Sequence, residues 1–349
     1  MFPGIALAEE FLKRDRNSEV LFVGTDKGIE NRILGGLGYR LATLAVEGIK
    51  GRGLGRALAA LLKIPRSMIQ SWGIIRGFRP DIVIGVGGYA SGPAVLAAHM
   101  MGLPTVIAEQ NALPGLTNRI LGRITDRIFL TFTETSRWFP KRKCIVSGNP
   151  IRASFLKGKE EGSRQEGEPF TLLVFGGSQG ARAVNGAMVE AIASLQDIKD
   201  SFRVIHQTGP EQLDSITRAY RDQGMDVEVS PFIMDMAEAY RKADLLVCRA
   251  GATSIAEITA GGKAAILIPF PHAVGDHQTR NAEVLANAGA AVMIAENDLS
   301  GPLLAETIKR LYHHRGFIRE MAAKSTALGH PQAAAEIVTA CLELVEGAG

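Results

Sequence analysis

Short β-branched and apolar runs recur at 20–24, 82–86, Thr105–Glu109, Phe170–Phe175, 204–206, Leu245–Cys248 and 264–269, and between them apolar positions fall at helical spacing. Strands that are apolar throughout, alternating with helices, predict parallel sheets covered on both faces. Between 157 and 168 the chain turns to Lys, Glu, Gly and Ser, a solvated loop just after a boundary between two such series. The reading is an α/β protein of two doubly wound, Rossmann-like domains, 1–149 and 150–330, with a closing segment 331–349.

Glycine-rich turns stand where strands hand over to helices: Gly85-Val-Gly-Gly-Tyr89, Gly176-Gly-Ser-Gln-Gly180 and Arg249-Ala-Gly-Ala-Thr-Ser254. Ligands of open α/β sheets sit at the carboxyl ends of strands, so these turns mark the expected site, in a cleft between domains. At Gly176–Gly180 the glycines let a backbone approach a diphosphate, with a helix N-terminus behind it, although the same pattern also makes a plain tight turn. The spacing departs from the G-x-G-x-x-G dinucleotide fingerprint, which disfavours a nicotinamide enzyme.

Thr253 and Ser254 stand at a predicted helix start with Glu257 one turn in. That acid either accepts hydrogen bonds from both hydroxyls of a ribose or simply stabilises the helix dipole. His272, Asp276, His277 and Gln278 cluster after the buried strand, with Arg280 and Asn281 following. Their spacing fits no standard zinc pattern, and Gln278 and Asn281 offer the paired donor and acceptor that suit sugar hydroxyls. No metal and no cofactor are expected. Glu109, Gln110 and Asn111 close an apolar strand in the first half, which is more polarity than a turn needs.

Composition narrows the class. In 349 residues, 46% are hydrophobic and 21% charged, with a net charge of +3, so a globular protein without a nucleic-acid partner is expected. Cys144, Cys248 and Cys341 lie far apart in apolar stretches, as buried thiols in a reducing compartment do. No apolar run approaches the roughly 18 residues that span a bilayer. The segment from Ala57 to Pro80 interleaves Leu61, Leu62, Ile64, Met68, Ile69, Trp72 and Ile75 with Lys63, Arg66, Arg76 and Arg79. It reads either as a helix packed on its own sheet or as an amphipathic face resting on an anionic membrane.

Taken together, Gly85-Val-Gly-Gly-Tyr-Ala-Ser-Gly-Pro93, Glu109-Gln-Asn111, Gly115-Leu-Thr-Asn118, Gly148-Asn-Pro-Ile-Arg152, Phe175-Gly-Gly-Ser-Gln-Gly-Ala-Arg182, Cys248-Arg-Ala-Gly251 and Asp276-His-Gln-Thr-Arg-Asn281 resemble one family over almost the whole chain. It is that of the bacterial transferases that move N-acetylglucosamine from UDP onto undecaprenyl-diphospho-N-acetylmuramoyl-pentapeptide in cell-wall synthesis. The resemblance implies a metal-independent, two-domain GT-B glycosyltransferase, acceptor domain first and UDP-sugar domain second. A final helix would return to the first domain, and the protein would lie peripherally on the cytoplasmic side of the cell membrane, held through Ala57 to Pro80.

By resemblance, Asn111, Arg152, Ser178, Ile233, Ala252, Thr253, Ser254, Ile255, Ala256, Glu257 and Gln278 contact the nucleotide sugar, with Asn281 near the sugar. Tyr89 and Glu109 match positions implicated in acceptor binding or activity. The family's members also carry a strand and a glycine loop ending in histidine immediately before the Phe2-Pro3-Gly4 match, whereas the first histidine here is His99. The expectation is a start codon placed too far downstream; the alternative is a shortened chain that binds UDP-sugar without catalysing transfer. Absence of that strand would leave unpaired backbone edges in the first sheet. UDP-N-acetylglucosamine 2-epimerases, with the same donor and architecture, are the competing class, disfavoured by the 57–80 segment and the Gly85–Pro93 loop.

Overall fold

The computed structural model describes residues 1–25, 34–45, 54–156, 168–177 and 180–347. They form two compact units, Met1–Arg152 joined by the segment from Gln332, and Ala153–Pro331. Most of the polar 157–168 stretch, and Ser178, lie outside the described residues.

The first unit runs α1 (Phe2–Arg14), β1 (Leu21–Thr25), β2 (Arg40–Leu44), α2 (Leu54–Phe78), β3 (Val83–Gly85), α3 (Ser91–Met100), β4 (Thr105–Glu109), α4 (Leu116–Leu121), β5 (Arg127–Leu130) and β6 (Cys144–Val146). Strands β3-β4-β5-β6 form one parallel sheet and β1-β2 a separate parallel pair. Among the described residues β1 pairs only with β2 and β3 only with β4, so each keeps one ladder edge unpaired.

β4 shows why a wholly apolar run folds this way, because successive side chains point to opposite faces. Val106 and Ala108 pack with Leu7, Ile337 and Val338 on one side, and Ile107 packs with Val95 and Leu121 on the other. Each of the buried Val, Leu and Ile side chains contributes roughly 1.5–3 kcal/mol relative to exposure.

The second unit runs β7 (Phe170–Phe175), α5 (Arg182–Ile192), β8 (Phe202–Gln207), α6 (Leu213–Asp222), β9 (Val227–Ser230), α7 (Met236–Lys242), β10 (Leu245–Cys248), α8 (Ala252–Gly261), β11 (Ala264–Leu267), α9 (His277–Asn287), β12 (Ala291–Met293), α10 (Gly301–His313) and α11 (Arg315–Ala327). Its parallel six-stranded sheet has the order β12-β11-β10-β7-β8-β9. One face packs Leu172, Val174, Val204 and Val247 against Val184 and Met188 of α5 and Leu304 and Ile308 of α10. The last helix, α12 (Ala333–Glu346), belongs to the first unit, where Arg14 Nη2 donates to Ala335 O at 2.7 Å.

The fold is thus α/β with two Rossmann-like units. The pattern of apolar runs anticipated β4, β7 and β10 to the residue and missed β2, β5, β6, β9 and β12. Those five are at most five residues long, and several carry a charge, as at Arg40, Arg127 and Glu228, so no periodic signal marks them.

Candidate functional site

In the second unit β7 comes first in sequence yet sits between β8 and β10. The chain winds outward from β7 to β8 and β9, then returns to β10 and winds the other way. At that reversal Phe175 lies opposite Cys248. Connections leaving two such strands part to opposite faces and open a crevice at their carboxyl ends. The loops beginning at Gly176 and Arg249 therefore start side by side.

Gly177 and Gly180 adopt φ values of +95° and +76°, where L side chains are strained, and a Cβ on Gly180 would run into the Thr208 carbonyl. Gly180 N–H closes the turn on Gly177 O at 3.0 Å. Helix α5 follows from Ala181, whose methyl cannot cap it, so the first-turn amides and the positive end of the dipole lie at this end of the sheet without a cap from that side chain. Helix α8 begins in the same way behind Gly251. Ile255 N–H bonds back to Gly251 O at 2.9 Å, so the amides of Thr253 and Ser254 lie in the turn ahead of that bond. Two N-termini of this kind at one reversal make a site for an anion as large as a diphosphate.

The remaining second-unit residues differ in what they present. Thr253 and Ser254 are partly exposed at the mouth of α8, whereas the side chains of Ile255 and Ala256 are buried and can meet a ligand only through backbone. Glu257 is buried one turn in; after burial itself, its charge is the second cause pushing the Cys248 thiol far up, which leaves Cys248 an inert thiol at the end of β10. Gln278 Oε1 accepts from Phe270 N–H at 3.0 Å. Asn281 is fully buried, and its Nδ2 donates to Ala250 O at 3.2 Å, so it braces the loop after β10. Ile233 follows β9, and its N–H donates to Gln207 Oε1 at 2.8 Å.

Two side chains without a role in the sequence reading also shape this end of the sheet. Arg249 Nη1 donates to Ile268 O at 3.1 Å and Pro269 O at 3.3 Å, and its Nη2 pairs with Glu296. His206 is fully buried, with Nδ1 at 2.9 Å from Tyr220 Oη and Nε2 at 3.1 Å from Asn185 Oδ1. Asn185 spends both Nδ2 hydrogens on Thr208 O and Gln212 Oε1, which leaves Oδ1 to accept. His206 therefore carries its proton on Nε2, and Nδ1 accepts from Tyr220.

Desolvation lowers the His206 pKa from 6.5 to about 3. The unfolded chain thus binds a proton that the folded chain refuses between those values, and stability falls as pH drops below 6.5. Urea unfolding of the second unit should lose about 2 kcal/mol between pH 6.5 and pH 5. His206→Gln should flatten that slope, and an unchanged slope would contradict the assignment.

In the first unit the loops after β3 and β4 meet. Gly87 and Gly88 turn at φ +86° and +83°, and Ser91 Oγ donates to Gly87 O at 2.6 Å. A Cβ on Gly87 would lie 3.4 Å from Gln110 Oε1, so this turn rests on the 109–111 loop. Tyr89 stands on it, 57% exposed.

Glu109 is only 2% exposed. Its Oε1 accepts from Asn111 N at 3.0 Å and Asn111 Nδ2 at 3.1 Å, and its Oε2 accepts from Gly115 N at 3.1 Å and Asn118 Nδ2 at 2.9 Å. The carboxylate is the hub of the 110–118 loop, and Asn111 is placed by it. Arg152 closes this unit with its guanidinium 4.9 Å from the Phe2 ring centroid.

Known proteins resemble this chain in sequence and in fold. Residues 1–130 match the glycosyltransferase family 28 N-terminal domain and residues 171–337 its C-terminal domain. A Syntrophus aciditrophicus protein named UDP-N-acetylglucosamine--N-acetylmuramyl-(pentapeptide) pyrophosphoryl-undecaprenol N-acetylglucosamine transferase is 59% identical over 345 residues, covering 99% of this chain and 95% of its own. The crystal structure of Acinetobacter baumannii MurG superposes with a TM-score of 0.77 at 32% identity, over 98% of this chain and 95% of that one. A Listeria monocytogenes structure described as a putative UDP-N-acetylglucosamine 2-epimerase gives a TM-score of 0.72 at 16% identity, over 99% and 94% of the two chains, and shares the fold alone. With both domain signatures present and relatives this close, the chain belongs to glycosyltransferase family 28 and, within it, to the MurG-type N-acetylglucosamine transferases.

Proposed function

We propose that this glycosyltransferase moves N-acetylglucosamine from UDP-N-acetylglucosamine to the 4-hydroxyl of undecaprenyl-diphospho-N-acetylmuramoyl-pentapeptide, the step that completes the lipid-linked disaccharide of peptidoglycan. The second unit holds the nucleotide sugar and the first receives the acceptor. The observation that carries this reading is the pair of helix N-termini, α5 and α8, whose leading residues Ala181 and Gly251 supply no side-chain cap, at the winding reversal of the second sheet.

In the reaction the acceptor hydroxyl oxygen bonds to C1 of the sugar as the C1–O bond to UDP breaks, with inversion at C1, and the hydroxyl proton is released to solvent. Negative charge grows on the departing diphosphate, and prealigned amides at α5 and α8 stabilise it without reorganising. Glu257 accepts from the ribose hydroxyls, and the Gln278 carboxamide addresses the sugar. On the acceptor side Tyr89 offers an exposed hydroxyl, and Glu109, whose oxygens already accept four N–H bonds, positions Asn111 and the loop to Asn118.

Membrane contact falls to the same unit. Helices α2, α3 and α4 pack in succession and expose Ile69, Trp72, Met100, Leu116 and Ile120 beside Arg66, Arg76, Arg119 and Arg123. Apolar side chains rimmed by arginine suit the cytoplasmic face of an anionic bilayer. The double substitution Ile69→Glu with Leu116→Glu should cut sedimentation with anionic vesicles about tenfold, because each removes buried apolar area and adds like charge. Transfer to a water-soluble short-chain acceptor should stay within twofold, and unchanged vesicle binding would refute the membrane face.

The function is tested by incubating the protein with radiolabelled UDP-N-acetylglucosamine and the lipid acceptor. Label recovered in an inverted, lipid-linked disaccharide supports the proposal. Saturable UDP binding without transfer would support a nucleotide-sugar-binding remnant, and formation of UDP-N-acetylmannosamine an epimerase.

A further inference from the structure

Gln207 closes β8 and is 1% exposed, and it uses both poles of its carboxamide. Nε2 donates to Gly177 O at 2.8 Å, and Oε1 accepts from Ile233 N–H at 2.8 Å. In the sheet Gln207 lies opposite Phe175 on one side and Ser230 on the other, so the side chain reaches from the loop after β7 to the loop after β9. Neither bond is part of the strand ladder. The pairing of β8 with β9 continues past Gln207 through Thr208 N–H to Ser230 O at 3.0 Å.

Both loops need such a tie. Gly177 sits at φ +95° with no Cβ to brace it; its carbonyl accepts Gly180 N–H within the turn, and the bond from Gln207 is the one that fixes it to the neighbouring strand. Ile233 stands between the exposed side chains of Phe232 and Met234, which give that loop little apolar anchorage.

We propose that Gln207 is a positioning residue of the nucleotide site, holding the glycine turn and the Ile233 backbone in one register so that a uridine diphosphate meets both at once. This rests on the reading that the second unit binds UDP-N-acetylglucosamine. It adds a residue that need not touch the ligand. Without the tie, the ligand must order two loops on binding, and affinity falls although the groups that touch it are intact.

The test compares Gln207→Leu and Gln207→Glu with the wild type by calorimetric titration of UDP at pH 8 and pH 6, together with KM for both substrates. Gln207→Leu should weaken UDP about tenfold at both pH values, the scale of two neutral hydrogen bonds lost from a preorganised site. Its KM for the lipid acceptor should stay within twofold.

Gln207→Glu keeps the acceptor for Ile233 N–H but at pH 8 sets an anionic oxygen against Gly177 O, so it should be as weak as the leucine variant. Burial raises the pKa of the introduced carboxyl, and at pH 6 its protonated form donates to Gly177 O. UDP affinity should then return to within about threefold of the wild type at the same pH. A role in folding alone predicts no such recovery.

UDP binding by Gln207→Leu within twofold of the wild type overturns the proposal, as does an equal deficit of Gln207→Glu at both pH values. If Gln207→Leu does not fold, the pH pair on Gln207→Glu decides alone. Absence of saturable UDP binding by the wild type would instead overturn the donor reading and would be seen before any variant is compared.

Discussion

Replacing Glu257 by alanine weakens UDP-N-acetylglucosamine binding by roughly a hundredfold. A carboxylate accepting two ribose hydroxyls makes two charge-assisted bonds, each contributing about 1.5–3 kcal/mol, and the lower figure doubled is about two decades in affinity. Glu257 is placed for this by α8, one turn behind the Gly251 cap and close enough to the end of β10 that its charge reaches Cys248.

A cycle with a deoxyribose ligand isolates the contact. UDP and its 2′-deoxy analogue should differ in affinity for the wild type and bind Glu257→Ala almost alike. Glu109→Ala, which alters the first unit, should shift UDP affinity less than threefold. Equal losses in the two variants by calorimetry would sink the assignment of Glu257 to the nucleotide.

The second large effect concerns Glu109 itself. Glu109→Ala strands two backbone N–H groups and the carboxamides of Asn111 and Asn118, all of which now donate to it. Even with water replacing some of them, about 3 kcal/mol of stability should be lost, which lowers the first unit's melting midpoint by roughly 6–12 °C. Transfer should fall at least a hundredfold because Asn111 and the loop to Asn118 lose their common anchor.

Glu109→Gln is the informative variant. Its amide turns one oxygen into a donor facing donors, so it should also destabilise, by about 2 kcal/mol. If Glu109→Gln melts like the wild type but is inactive, the carboxylate acts chemically rather than as a hub. Asn118→Ala, removing one arm, should cost about 1 kcal/mol.

How much of this was readable in the chain differs by element. β7 and β10 announce themselves because strands covered on both faces must be apolar throughout, so Phe170–Phe175 and Leu245–Cys248 carry their own boundaries. Edge strands β9 and β12 bear no such demand, and Val227–Ser230 looks like loop until β8 is beside it. The glycine turns were legible because only glycine tolerates the φ of Gly177 and Gly180. Glu109, Thr253, Ser254 and Glu257 stand out as candidates by their place at strand and helix ends, whereas Tyr89, Ala252, Ile255 and Ala256 enter through motif resemblance alone. Nothing in the sequence marks Ile255 and Ala256 as buried and Thr253 and Ser254 as presented, or says that Asn281 faces inward to Ala250 O.

By itself the sequence determined the α/β class, the positions of the glycine turns and the family, since each is a local pattern of side-chain size, periodicity or backbone permissiveness. Tertiary structure alone decided which turns become neighbours, because the reversal of winding at β7 and β10 arises from strand order, and strand order is a choice among long-range pairings. It also decided that Glu109 serves four donors and that Gln207 joins two loops 56 positions apart, Gly177 to Ile233. A hydrogen bond depends on where two groups end up in space, and polar residues at strand ends look alike until the sheet has set their distances.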